Sequence, residues 1–204
     1  MLTLYEKLFL LSLDDQKGVV TPPASDSLTY GLAGALLAEL VLQGRLRLKN
    51  GRLAVSDVTP TGNKKLDAIL ISVASSEKRR KPQHWMRALS KKKLTRRIVR
   101  GLVKKGVLKI EAKRCHQVMA CGIPPRPDAS AKYWVKESLR AAVLAHESTP
   151  TDVDTIILLS LLKACGLLGL VFTKDERKAA RVEVERLTAG EPFGNAISRL
   201  RTGR

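Results

Sequence analysis

The stretch that most restricts the fold is GLAGALLAELVL, residues 31–42. Over these turns only Glu39 is conspicuously polar, so a helix here is apolar almost all round and belongs in the middle of a core. Asp26 or Ser27 is placed to cap it, and Gly44 to stop it, because glycine takes the left-handed conformation that ends helices without a Cβ penalty. A second apolar run, 156–172, is too short for a membrane span and carries Lys163 near its centre, so it also reads as a buried helix. Before both, Thr3 and Glu6 have capping-box spacing, and Leu4, Leu8 and Leu11 recur at helical intervals, which predicts a first helix with no basic leader ahead of it.

After Gly44 the period changes from helical to alternating. Leu46, Leu48, Leu53 and Val55 flank Asn50-Gly51, the pair whose tolerance of positive φ suits a two-residue hairpin turn. The same order returns later in the chain. Residues 39–48 read ELVLQGRLRL and residues 101–110 read GLVKKGVLKI, each ending a helix at glycine before an alternating strand. This predicts a helix-plus-hairpin unit used twice, with the second hairpin near 109–123 and its return strand at 117–121, before the Pro124, Pro125 and Pro127 loop. Helices are expected at 132–146, 156–172, 175–187 and 195–200, with Pro150 separating the first two. The expected class is mainly α with two small β-hairpins, and 204 residues are read as one domain.

Charge is distributed very unevenly over this chain. The net charge is +18, and residues 78–114 hold sixteen Lys or Arg against the single acid Glu111, which leaves only +3 for the rest. Concentrated charge repels itself and does not help folding; its usual use is to attract a polyanion, nucleic acid or a membrane surface, with a solvated face as the plain alternative. The sharpest part is the helix expected over about 92–105. At 100° per residue, Leu94, Ile98, Val99, Leu102 and Val103 share one side, and Lys93, Arg96, Arg97, Arg100 and Lys104 fall in an opposite arc of about 100°. Near an anionic bilayer each cation contributes about 1 kcal/mol, so the stripe supplies roughly 5 kcal/mol, between millimolar and micromolar affinity. Firm docking therefore needs a second signal. Trp85 is a candidate membrane-interface anchor, although a core position is the commoner one for Trp85 and Trp134 alike. The run Lys78-Arg79-Arg80-Lys81 reads as a flexible basic loop that adds long-range attraction.

Enzyme chemistry has no signature here. His84, His116 and His146 lie outside any recognisable motif, and phosphate-loop, dinucleotide, HExxH and GxSxG patterns are absent from the sequence. Asp14 and Asp15 are adjacent carboxylates, but adjacency does not make a catalytic dyad. Cys115, Cys121 and Cys165 are odd in number and form no CxxC pair, which argues against a disulfide framework and fits a reducing compartment. Cys115, His116 and Cys121 lack an evident fourth ligand for zinc. No metal and no cofactor are expected.

Five segments, taken in order, resemble one family. They are LTLYEKLFLLSLDDQKG from Leu2, GLAGALLAELVLQGRLRL from Gly31, TPTGNKKLDAIL from Thr59, the segment around Trp85, and VKKGVLK from Val103. The chain resembles the Golgi phosphoprotein 3 family, as a divergent or prokaryotic member. The resemblance implies a bundle of central helices wrapped by amphipathic ones, a hairpin after the basic helix that mediates self-association, and a cytoplasmic, peripherally membrane-associated adaptor that recognises phosphatidylinositol 4-phosphate and a protein client. It also implies a headgroup site built from a tryptophan, its arginine partner and two arginines of the basic helix. Aligned without gaps, those positions are Ala24, Ala33, Lys92 and Thr95. Only Lys92 keeps a cation there, and lysine lacks the bidentate fork that arginine offers phosphate.

The function expected is peripheral, non-enzymatic binding of a phosphoinositide or other anionic lipid through Lys92, Lys93, Arg96, Arg97, Arg100 and Lys104. The alternative is a winged-helix-like nucleic-acid binder using the same face; against sequence-specific reading, its outward arc has no Asn or Gln.

Overall fold

The computed structural model describes the chain apart from Met1 and residues 15–19, 21–26, 91, 110–125, 128, 145–150 and 203–204. Of Lys92 and Lys93 only the backbone is described. The described residues form α1 (Leu4–Ser12), α2 (Leu28–Leu42), β1 (Leu46–Lys49), β2 (Arg52–Val55), α3 (Lys64–Ala74), α4 (Pro82–Leu89), α5 (Lys92–Lys104) and β3 (Leu108–Lys109). They continue with β4 (Arg126–Pro127), α6 (Ala129–Leu144), α7 (Val153–Cys165), α8 (Arg177–Leu187) and α9 (Pro192–Thr202). The protein is mainly helical, as its periodicity predicts.

The all-round apolar helix is indeed the centre. Leu32, Leu36, Leu37 and Leu40 of α2 have no exposed surface, and α2 packs against α1, α3, α4, α5, α7 and α9. Small residues permit that crowding. A Cβ added to Gly34 would lie 3.0 Å from Met86 Cε on α4, 3.3 Å from Leu161 Cδ2 on α7 and 3.4 Å from Ile197 Cδ1 on α9. Three helices therefore converge on one glycine. At the entry to α2, Ser27 does not cap with its side chain; its hydroxyl donates to the carbonyl of Cys165 at 2.9 Å and so ties α2 to the end of α7.

Leu46↔Val55 and Leu48↔Leu53 pair across the first hairpin, and Asn50 (φ 52°) and Gly51 (φ 68°) take the positive φ that the Asn-Gly turn requires. The second strand pair differs from expectation. β3 pairs antiparallel with β4 in the register Leu108↔Pro127 and Lys109↔Arg126. The expected return strand at 117–121, like most of the hairpin near 109–123, lies outside the described residues, as do Cys115, His116, Cys121 and Ala24.

Other boundaries also shift. The helix expected over 156–172 is α7, which starts at Val153 and stops at Cys165, because Gly166 (φ 75°) turns the chain and Leu168–Leu170 continue only as a 3-10 turn. α3 and α4 are additional helices, not among those expected, although in α3 the buried Leu66, Ile69, Leu70 and Val73 fall at helical spacing. Asn63 caps α3 by accepting the Lys65 N–H at 3.1 Å, and Pro82 occupies the first turn of α4, where its missing N–H costs nothing. The tryptophans part company. Trp85 is a core residue at 8% exposure, which overturns it as a membrane-interface candidate, whereas Trp134, also expected in the core, stands 70% exposed on α6, beside Tyr133.

Candidate functional site

α5 lies on the outside of the bundle, held by one face. Ile98 and Leu102 are completely buried, and Leu94, Val99 and Val103 pack half-buried around them. The opposite side carries Arg96, Arg97, Arg100 and Lys104, all exposed. None of the four forms an ion pair with a described carboxylate. The structure thus brings four of the six predicted cations together on one surface and leaves the side chains of Lys92 and Lys93 outside the described set. Of the family headgroup positions, Ala33 is wholly buried inside α2 and Thr95 is half-buried on α5, so neither offers a donor at the surface equivalent to arginine.

The next residue after the helix behaves differently. Lys105 Nζ donates to Glu6 Oε2 at 2.7 Å, and the same oxygen accepts the Thr3 N–H at 3.0 Å. The Glu6 side chain is 2% exposed, so Lys105 compensates a buried carboxylate and pins the end of α5 to the start of α1. A second lysine sits alongside. Lys65 Nζ lies 5.8 Å from the Tyr5 ring centroid, over its face, and 3.2 Å from where a Cβ on Gly101 would stand. The missing side chain at Gly101 is what lets α3 bring this cation against α5, a juxtaposition no sequence period foretells. α3 is itself anchored through Asp67, which accepts both the hydroxyl and the N–H of Thr61 at 2.7 Å; those two bonds hold its pKa below the ordinary carboxylate value.

The basic run at 78–81 is not a loose loop, and this corrects the sequence reading. Leu53 N–H donates to the Arg80 carbonyl at 2.9 Å, and Arg52 Nη1 to the Arg79 carbonyl at 3.0 Å, so Arg79 and Arg80 are tied to β2. It leads directly into α4. Main-chain bonding of this kind is invisible to a reading based on side-chain charge.

Among the described residues no helix is long and apolar enough to cross a membrane, and no group of three or more metal-ligating side chains occurs. Fold and site together define a mainly helical protein in which one amphipathic surface helix, α5, turns a cationic face to solvent. The sequence model of the family described as Golgi phosphoprotein 3 (GPP34) matches residues 4–202, so the chain belongs to that family. A similar curated protein is "Vacuolar protein sorting-associated protein 74" of Eremothecium gossypii, 28% identical over 170 residues, covering 71% of this chain and 48% of that protein. The chain therefore spans about half the length of the curated relative it matches.

Proposed function

We propose that this chain is a peripheral membrane protein, acting as a non-enzymatic cytoplasmic adaptor, which docks on anionic lipid through the outward face of α5. One observation carries the reading: Arg96, Arg97, Arg100 and Lys104 are exposed together, without a carboxylate partner among the described residues, on a helix whose other face is locked into the core by Ile98 and Leu102. Such a face presents fixed positive charge at no folding cost beyond its own repulsion. Membership of the Golgi phosphoprotein 3 family supports the membrane reading over the nucleic-acid one. Since Ala33 is buried and Thr95 carries no charge, attraction here rests on summed charge rather than on a shaped 4-phosphate pocket.

The test is sedimentation with vesicles at near-physiological salt, with phosphatidylinositol 4-phosphate and phosphatidylserine compared at matched surface charge and duplex DNA as a soluble competitor. The expected result is binding to both anionic vesicles within about threefold, none to neutral vesicles, and little displacement by DNA. Capture by DNA in preference to vesicles, with a steep loss as salt rises, contradicts it and favours the nucleic-acid reading.

A further inference from the structure

A second cationic feature lies away from α5. Arg52 of β2, Arg80 and Lys81 ahead of α4, Arg87 on α4 and Arg199 on α9 line one open groove of about 840 Å³ together with Gln83 and His84; among the described residues no Asp or Glu and no residue of α5 borders it. These positions are far apart in sequence, so the fold, not a charge run, assembles them. Five like charges around one space repel one another, and an anion placed among them is attracted by all five.

We propose that this groove is a binding site for a compact, multiply phosphorylated anion. Arginine offers a planar fork that bonds phosphate oxygens in pairs, and four of the five cations are arginines. One fork is already oriented, since Arg52 Nη1 is held by the Arg79 carbonyl at 3.0 Å. Gln83, in the first turn of α4, lines the same groove: Pro82 has no N–H and the His84 N–H is donated to the Lys81 carbonyl at 3.0 Å, while the Gln83 side-chain Oε1 is buried without a hydrogen-bond partner, so the carboxamide is not held in one orientation and can present its NH2 to an anion. The groove is too roomy for one phosphate and continues past Lys81, Gln83 and Arg199 toward the Asn50-Gly51 turn, which suits several phosphates on a small frame. This site is independent of the α5 reading.

The test is calorimetric titration of the full chain with tripolyphosphate and with inorganic phosphate at near-physiological salt. Tripolyphosphate is expected to bind about tenfold or more tightly than phosphate. The exposed pair R80Q/R87Q should lose about tenfold of that affinity with an unchanged melting temperature, while R96E/R100E on α5 stays within about threefold of wild type. Should R80Q/R87Q lower the melting temperature, K81Q serves as the second variant and must also weaken binding. Equal loss in the groove and α5 variants, or wild-type binding by R80Q/R87Q, overturns the site. Flotation of R80Q/R87Q with vesicles carrying phosphatidylinositol bisphosphate names the source: reduced flotation means a lipid headgroup, unchanged flotation a free phosphorylated molecule.

Discussion

Gly44 and Gly106 end their helices in the same way. Gly44 has φ 70° and Gly106 φ 72°; each donates its N–H to the carbonyl two residues before the cap, Val41 at 3.0 Å and Val103 at 2.9 Å. The following residues, Arg45 and Val107, reach back to Leu40 at 2.9 Å and Leu102 at 3.0 Å. This is a Schellman cap in both cases. What precedes it differs. α2 is apolar on all sides and lies at the centre, whereas α5 has one apolar face and lies at the surface with its arginines outward. Gly166 closes α7 with the same pair of bonds, from Gly166 to Lys163 at 3.0 Å and from Leu167 to Leu162 at 2.8 Å. A terminator used three times explains the likeness of 39–48 to 101–110 without invoking duplication. The stop sets where a helix ends, and the distribution of apolar residues around it sets whether it becomes core or surface.

The comparison is broken most severely at the centre. Leu36→Ala in α2 should cost about 3 kcal/mol or more, because the surrounding helices cannot collapse onto the cavity, while Arg97→Ala on α5 should stay within about 0.5 kcal/mol in chemical denaturation. Next comes the pin between the two regions. Lys105→Ala leaves the buried Glu6 carboxylate without its cation and should cost about 2 kcal/mol, against less than about 0.5 kcal/mol for the neighbouring Lys104→Ala. Denaturation midpoints separate the structural lysine from the solvent-facing one.

The caps give a smaller and sharper test. A Cβ at Gly44 or Gly106 meets nothing within 4 Å, so alanine there pays only for positive φ, about 1–2 kcal/mol, and the two losses should agree within experimental scatter. Unequal losses would mean that the caps differ in strain despite their matching bonds. The smallest effect concerns Asp67. Its folded pKa lies below its unfolded value, so the stability it adds is present above the ordinary carboxylate range and is lost as pH falls through the lowered pKa. The stability gap between wild type and D67A should therefore be open at neutral pH and narrow once pH drops below about 4.

Much of the fold was legible because it rests on side-chain periodicity. The central helix, the Asn-Gly hairpin and the two faces of α5 follow from spacing alone, since burial selects apolar residues at 3.6 or 2 residues per repeat. What spacing does not encode is tertiary placement. Trp85 and Trp134 look alike in sequence, yet one is buried beside β2 and the other stands on an outward face of α6. The basic run at 78–81 looks like a solvated loop, but its carbonyls serve β2 and its side chains meet Arg199 across a groove. Lys104 and Lys105 are neighbours with opposite duties, decided by whether Glu6 lies within reach. Each of these turns on a partner distant in the chain, which one-dimensional periodicity cannot specify.

The central claim is that the outward face of α5 does the docking. The most direct measurement is sedimentation of R96E/R100E with anionic vesicles beside its melting curve. Loss of vesicle binding with an unchanged melting temperature is the predicted result; binding at the wild-type level by a folded variant would contradict the assignment of this face.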